Sequence, residues 1–171
     1  AMIQRETTPS RKLTVLVFNL DNALSQPGSA ADLTLQPRDT ITVFGMQKNR
    51  SAQLASMIER LRIQATRQNR QKIVSIAGNV RFPGSYPLTE NMSAQQLIQL
   101  AGGLNQNAYD LDAEITRYTL DEKQRQQISY VELPLSSAAQ YQLKEEDRVS
   151  IRRLPDWSPE ETIELTGEII F

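Results

Sequence analysis

Hydrophobic positions along the chain follow two spacings, and each predicts a different element. Residues 12–18 and 40–44 alternate apolar with polar side chains and are rich in β-branched residues, as half-buried strands are. Residues 51–68 instead carry apolar side chains at helical spacing, with Ser51 as the expected N-cap. The apolar positions are Leu54, Met57, Ile58, Leu61 and Ala65. An amphipathic helix is therefore expected after the first strands.

The second half of the chain opens with a predicted hairpin. Strands over residues 73–80 and 86–88 flank a turn at Pro83 and Gly84, where Pro presets the first φ of a type II turn and Gly supplies the positive φ. Gly78 is likewise predicted to be a structural turn residue. Further strands are predicted over residues 114–120, 128–133 and 148–153.

Capping signals delimit a short helix between these strands. Ser93 and Gln96 occupy the two positions of a capping box. Gly102 is the expected residue after the C-cap, and Gly103 follows it. Phosphate-binding glycine loops precede a helix, whereas this pair follows one. The pair is therefore predicted to be a cap and not an anion site.

Two motifs recur in the same order, which indicates an internal repeat. The pattern Leu-x-x-x-Asp-x-apolar-x-apolar covers residues 35–43 and returns 108 positions later at 143–151. Residues 74–82 return 89 positions later at 163–171. A third, looser match relates residues 13–20 to 128–135. The order of motifs predicts a tandem array, of which the chain holds one complete unit and parts of others.

The predicted fold class is α+β with two units. Residues 72–155 form the complete unit, residues 1–46 together with 160–171 form a composite one, and residues 47–71 are the helix that joins them. A half unit leaves open sheet edges and an uncovered apolar face. The strand 162–171 is therefore expected to complete the N-terminal half, within one chain or by exchange between two. The alternative is that this strand pairs with nothing.

Composition narrows the function classes. The chain has 19 basic and 20 acidic residues, a net charge of −1, and neither histidine nor cysteine. Nucleic-acid binding is therefore not expected, and thiolate metal sites, cysteine nucleophiles and imidazole-based triads are excluded. No apolar run reaches the roughly 18 residues that a membrane helix needs. We predict no catalytic residues, metal or cofactor, and no direct membrane insertion by this stretch of chain, which opens as if cut from a longer protein.

Acidic residues suggest one further site. Glu145, Glu146 and Asp147 form a carboxylate cluster, but no EF-hand spacing surrounds it and nothing sets one carboxylate apart as an acid. Asp39 and Asp147 recur at the same repeat position just before a strand. A hydrogen bond from a turn amide to the aspartate explains both.

Charges are also segregated along the chain. Residues 47–72 are basic and residues 155–171 are acidic. These segments are either solvated faces or opposite patches that guide head-to-tail packing of identical subunits into a ring.

Aromatic and planar polar side chains are the candidates for a carbohydrate or interface surface, because sugar C–H faces pack on rings and hydroxyls need hydrogen-bond partners. The candidates are Arg81, Tyr86, Asn105, Tyr109, Arg117 and Tyr118.

Three sequence runs together resemble a known family. Residues 78–88, with the order Gly-x-x-x-x-Pro-Gly-x-Tyr, are followed by 97–104, which end in Ala-Gly-Gly-Leu, and by 113–117. This combination resembles the SLBB (soluble ligand-binding β-grasp) domains of bacterial polysaccharide export proteins for capsule and exopolysaccharide.

The resemblance implies a β-grasp fold and a non-catalytic role. Similar export proteins have a periplasmic body of stacked rings of such domains, through which polymer passes to an outer-membrane pore. It therefore implies a homo-oligomer, a polysaccharide partner, other export components, and a periplasmic location tied to the outer membrane through regions outside this sequence. The alternative is a module that binds a glycan or another small ligand. Nothing in the sequence carries the cofactor ligands of the relatives that bind cobalamin.

Overall fold

The computed structural model describes residues 1–7, 9–29, 31–45, 50–121, 123 and 125–155. Its elements, in chain order, are β1 (Met2–Thr7), β2 (Lys12–Val17), α1 (Leu20–Ser25), β3 (Thr40–Thr42), α2 (Arg50–Ile63), β4 (Ile73–Gly78), β5 (Gly84–Pro87), α3 (Ala94–Leu100), β6 (Asp112–Leu120), β7 (Gln126–Pro134) and β8 (Arg148–Ile151), with a 3₁₀ turn at Leu135–Ser137. The strands form two sheets, so the chain is an α+β protein as predicted.

The larger sheet has five strands in the order β5-β4-β8-β6-β7. Strands β4 and β8 run parallel, and the other neighbouring pairs are antiparallel. Helix α3 contributes Leu97 to a core that also holds Ile76, Ile115 and Val149. Fully burying one such side chain stabilises the fold by about 1.5–3 kcal/mol. A mixed sheet with a central parallel pair and one helix in its core is compatible with the predicted β-grasp fold.

The smaller sheet has the strand arrangement of half the larger one. Its order is β2-β1-β3, with β1 antiparallel to both neighbours, as β6 is to β7 and β8. Ile3 pairs directly with Ile41, and Ile115 pairs directly with Val149. The repeated Leu-Asp motif in the sequence therefore corresponds to a repeated strand arrangement in the described residues.

Strand β1, like the short helix α1, is an element that the sequence pattern does not predict. Met2 and Ile3 point to opposite faces of the sheet and are both buried, so the strand lacks the apolar-polar alternation of a half-buried strand. Its residues nevertheless repeat a later strand. The series Ala1, Ile3, Arg5 and Thr7 matches Ala113, Ile115, Arg117 and Thr119 of β6.

Helix α2 confirms the predicted amphipathic helix but not its limits. The four residues Leu54, Met57, Ile58 and Leu61 are buried, as the spacing predicted. The helix already includes Arg50, so the prediction of Ser51 as N-cap is wrong. It ends at Ile63 and not near residue 68, because the backbone then turns, with the Thr66 N–H donating to the Asn69 carbonyl at 2.8 Å.

Helix α2 lies between the two sheets. It packs on β5 and β4 of the larger sheet, and its apolar side chains share a cluster with Leu13 and Val15 of the smaller one. The Gln64 side chain accepts the Leu13 N–H, and Arg60 pairs with Glu6. By strand register, Leu13 and Val15 correspond to Ile128 and Tyr130 of β7. Those two are 51% and 67% exposed, so the outer face that α2 covers in the smaller sheet is open in the larger one.

The connection between β4 and β5 differs from the predicted turn. Gly84 has φ 153° and already belongs to β5, paired with Ile76, so it does not adopt the φ near +80° of a type II turn. Pro83 is exposed at the end of a longer loop, residues 79–83. The loop is longer because its backbone bonds to the segment after α3 and not across the hairpin.

The helix caps are as predicted. The Ser93 hydroxyl accepts the Gln96 N–H, and the Gln96 side chain accepts the Ser93 N–H, which completes the capping box. Gly102 follows the C-cap with φ 84°, and its N–H bonds to Gln99. The Gly102-Gly103 pair therefore ends a helix. The predicted strand 162–171 lies outside the described residues.

Candidate functional site

A buried carboxylate lies directly before β8 in the larger sheet. Asp147 is fully buried, and Arg117 of β6 donates to both of its oxygens, at 2.8 and 2.6 Å. The Lys144 N–H donates to the same carboxylate at 2.8 Å. The hydrogen bond to Asp147 raises the pKa of Arg117, whose guanidinium also lies over the Tyr141 ring. The turn role predicted for Asp147 is confirmed, and the sequence reading missed its arginine partner.

The smaller sheet contains the same device. Arg5 of β1 donates to both oxygens of Asp39, at 3.0 and 2.7 Å, and the Gln36 N–H donates to the carboxylate at 2.8 Å. The hydrogen bond from Arg5 holds the pKa of Asp39 below its ordinary value. The residues just before the two aspartates, Arg38 and Glu146, both have positive φ, 71° and 65°. The repeat therefore extends to a shared backbone conformation and a shared ion pair, which we call the Arg–Asp clamp.

A close backbone contact explains one predicted glycine. Gly78 has φ 84° at the end of β4, and a Cβ there would lie 2.0 Å from the Ile151 carbonyl oxygen. The Asn79 N–H donates to that same oxygen at 3.0 Å. Any larger residue would push β4 away from β8 at this point.

Three of the six candidate surface residues lie in neighbouring loops. The exposed Arg81 belongs to the β4–β5 loop, and its N–H bonds to the Gly103 carbonyl. The Asn105 amide donates to the Val80 carbonyl at 3.0 Å, and Tyr109 follows the same segment. These loops form a polar rim at the end of the sheet.

The rim continues into an ionic cluster. Arg152 donates to Asp112 and Glu132, at 2.5 and 2.8 Å, and its guanidinium lies 5.7 Å from the centroid of the Tyr109 ring. Both carboxylates raise the pKa of Arg152. The half-buried Tyr109 is therefore covered on one face by a cation, whereas Arg81 and Asn105 of the rim are exposed.

The other three candidates do not join this rim. Tyr86 is 2% exposed, its hydroxyl donates to the Phe82 carbonyl at 2.7 Å, and burial raises its pKa. The prediction of a surface role for Tyr86 is therefore wrong. Tyr86 is a core residue, and its hydroxyl has a hydrogen-bond partner within the chain. Arg117 belongs to the clamp described above. Tyr118 lies on the outer face of the sheet, opposite Ile128.

A groove of about 610 Å³ lies between the smaller sheet and the complete unit. Strand β2 forms one wall, and residues 88–91 and 142–145 form the other. Its polar lining includes Lys12, Lys72, Glu90, Asn91 and Glu145. The sequence did not indicate this groove, because its walls come from segments far apart in the chain and its residue types are ordinary surface ones.

Basic side chains of the α2 region are engaged within the chain. Arg60 pairs with Glu6, Arg62 with Glu59, and Arg70 with Glu146. Their positive charge is thus partly neutralised locally, which favours the reading of a solvated face for this segment. The acidic segment after residue 155 lies outside the described residues.

The described residues offer neither a cluster of metal ligands nor a membrane-spanning helix. No group of three or more acidic side chains in the part of the chain that the structure describes could hold a metal ion. Over the same residues, no helix has both the length and the apolar character to span a membrane.

Comparison with known proteins agrees with the fold. Residues 73–126 match the family model of the SLBB domain, over strands β4, β5 and β6 and the capped helix between them. Residues 73–126 are therefore similar to the SLBB domain, a family of binding modules. No curated protein matches the chain at a significant level.

Proposed function

We propose that the chain is a non-catalytic periplasmic module of a polysaccharide export apparatus, in which it supplies contact surfaces between subunits. The observation that carries this proposal is the SLBB domain at residues 73–126 beside a second set of strands with the same arrangement. Repeated small domains suit stacked assemblies, because each domain buries surface against its neighbour. Polysaccharide, further copies of the chain and other export components are its proposed partners.

An exposed apolar patch supports a role in assembly. Leu120, Ile128 and Tyr130 are 57%, 51% and 67% exposed on the β6–β7 hairpin. Ile128 and Tyr130 lie on the outer face of the sheet, where Tyr118 also lies. The corresponding face of the smaller sheet is a packing surface covered by α2. Exposed apolar groups on such a face commonly mark an interaction site.

The test is the mass of the chain in solution, measured by sedimentation over a range of protein concentrations. We expect association, and we expect Tyr130→Lys to abolish it. The control is Leu111→Lys, which changes an equally exposed apolar residue, 64%, outside β6 and β7. A wild-type chain that stays monomeric at every concentration, or association unaffected by Tyr130→Lys, contradicts the proposal.

The second candidate function is binding of a glycan or another small polar ligand. The groove between the two sheets favours it, because its lining offers ammonium, carboxylate and amide groups to hydroxyls. Glycan titration followed by NMR separates the two candidates. Localised shifts at Asn91 and Glu145 support the groove as a site, shifts at Arg81 and Asn105 support the rim, and no shifts favour the assembly role.

We further propose two SLBB units in the chain: residues 72–155, and residues 1–46 completed by residues 160–171. The segment 47–71 joins them. The matched strand order and the paired Arg–Asp clamps support this division.

A further inference from the structure

The open edge of β3 can be compared group by group with the occupied edge of β8. Within the described residues, β3 ends its sheet and pairs with β1 alone. Its repeat counterpart β8 has β6 on one side and the parallel strand β4 on the other. Among the described residues, β3 therefore lacks a parallel neighbour such as the one that β4 provides for β8.

Side-chain exposure shows the same difference. Val149 and Ile151 of β8 are 0% and 1% exposed, whereas their counterparts Ile41 and Val43 are 44% and 56% exposed. Two apolar side chains of the smaller sheet thus remain open to water beside an unpaired strand edge. An edge of this kind is a template for addition of another strand.

Three backbone hydrogen bonds accompany the parallel β4–β8 ladder. The Glu146 N–H donates to the Ile73 carbonyl, the Ser75 N–H to the Asp147 carbonyl, and the Asn79 N–H to the Ile151 carbonyl. The residue preceding each Asp has positive φ in both repeats, and each Asp is fixed by its arginine. The backbone groups at Arg38 and Asp39 are therefore expected to have the same orientation as those at Glu146 and Asp147.

One sequence in the chain has the features of β4. Residues 163–171 repeat residues 74–82, with apolar residues at the same alternate positions. Gly167 falls at the position of Gly78, where a Cβ would strike the carbonyl of the neighbouring strand. The glycine is a steric requirement of the parallel pairing, so its recurrence is an independent sign that this segment fits such an edge.

We infer that the edge of β3 is a parallel-strand docking site for residues 162–168 of the same chain. Its register pairs Ile41 with Leu165, Thr42 with Thr166 and Val43 with Gly167. The linker of residues 155–161 is short, and a tethered segment that can reach its site has an effective concentration of about millimolar. At micromolar protein, a segment whose linker spans the distance to β3 docks within one chain in preference to docking between copies. This inference rests on the proposed completion of residues 1–46 by residues 160–171, and it does not depend on the export role.

Cysteine cross-linking tests the inference in the chain of 171 residues, which has no cysteine of its own. The test pair is Thr42→Cys with Thr166→Cys. The positive control is Ala77→Cys with Ser150→Cys, which are direct partners in the β4–β8 ladder. The shifted control is Thr42→Cys with Ile170→Cys, about 13 Å out of register and too far for a disulfide.

We expect the test pair to oxidise at a rate comparable to the positive control, at least ten-fold faster than the shifted pair, and to give a product with the mass of one chain. Adding Gly167→Ala to the test pair should slow oxidation at least ten-fold, whereas adding Glu164→Ala should not. Equal rates for the test and shifted pairs, or no effect of Gly167→Ala, would overturn the register. A product with the mass of two chains would overturn docking within one chain.

Discussion

Replacing Arg117 by methionine removes one half of the buried Arg–Asp clamp and leaves the other in place. Asp147 is fully buried and accepts three hydrogen bonds, two from Arg117 and one from the Lys144 N–H. Breaking a buried pair leaves a charge without its partner and costs about 3–5 kcal/mol. Because the Arg117 side chain is 16% exposed, water can reach the site. We therefore expect the lower limit, about 3 kcal/mol.

The measurement is the free energy of unfolding, from urea titrations followed by circular dichroism. For a chain of this size, a loss of about 3 kcal/mol lowers Tm by roughly 6–12 °C. Asp147→Asn alone also destabilises, and the double variant loses about 1–2 kcal/mol less than the sum of the single losses, because the two groups interact directly.

The matched control is Arg125→Met. Arg125 pairs with Asp121 at 2.8 Å, but its side chain is 72% exposed. We expect this substitution to change the free energy of unfolding by no more than about 0.5 kcal/mol, since exposed pairs contribute little. If Arg117→Met is as mild as Arg125→Met, or if the double variant is strictly additive, the buried pair does not stabilise the sheet and our reasoning is refuted.

Three further predictions concern backbone and charge. Gly78→Ala should lower the free energy of unfolding by more than about 2 kcal/mol, because the added Cβ would overlap the Ile151 carbonyl. Gly103 has a similar φ but open space around the position of a Cβ. Gly103→Ala should therefore lower the free energy of unfolding by only about 1–2 kcal/mol in the same urea titration. Ser93→Ala should lower it by about 1 kcal/mol through loss of the N-cap, measured as a fall in Tm. The pKa of Asp39 is lowered in the fold, so the stabilisation by its carboxylate is present above the unfolded pKa of about 4 and is lost as pH falls through the folded pKa. Between pH 7 and pH 3, Tm should therefore fall less in Asp39→Asn than in the wild type. Equal falls in Tm would contradict this prediction.

The sequence predicted several of the elements whose signals are local. The Ser93–Gln96 capping box, the Gly102 stop and the apolar stripe of α2 each depend on residues within one turn of helix, and the structure contains all of them. The strands of the complete unit were found by alternation, with ends shifted by a few residues. The observed ends differ because hydrogen bonding to neighbours, and not the strand's own residues, sets where pairing stops.

Features that depend on distant contacts were missed. Strand β1 lacks alternation because both of its faces are covered, one of them by α2 far along the chain. The prediction of a type II turn at Pro83 and Gly84 was wrong because backbone hydrogen bonds hold this loop against the segment after α3. Tyr86 could not be recognised as a core residue, since its hydroxyl partner is a backbone carbonyl that any sequence provides.

The arginine partners could have been found from sequence. The spacing Ala-x-Ile-x-Arg-x-Thr occurs at residues 1–7 and 113–119, and each copy precedes the Leu-Asp motif. An arginine and an aspartate that recur together in both copies indicate a pair. The groove between the sheets has no such signal.

Helix α2 should make the two sheets unfold as a single cooperative body. Its apolar stripe packs against both of them, so melting of either sheet uncovers side chains that the other still needs buried. Heat or denaturant should thus produce one sigmoidal transition for the described part of the chain, in contrast to the stepwise loss seen when repeats touch only through small polar contacts. Weakening this one helix would uncouple them.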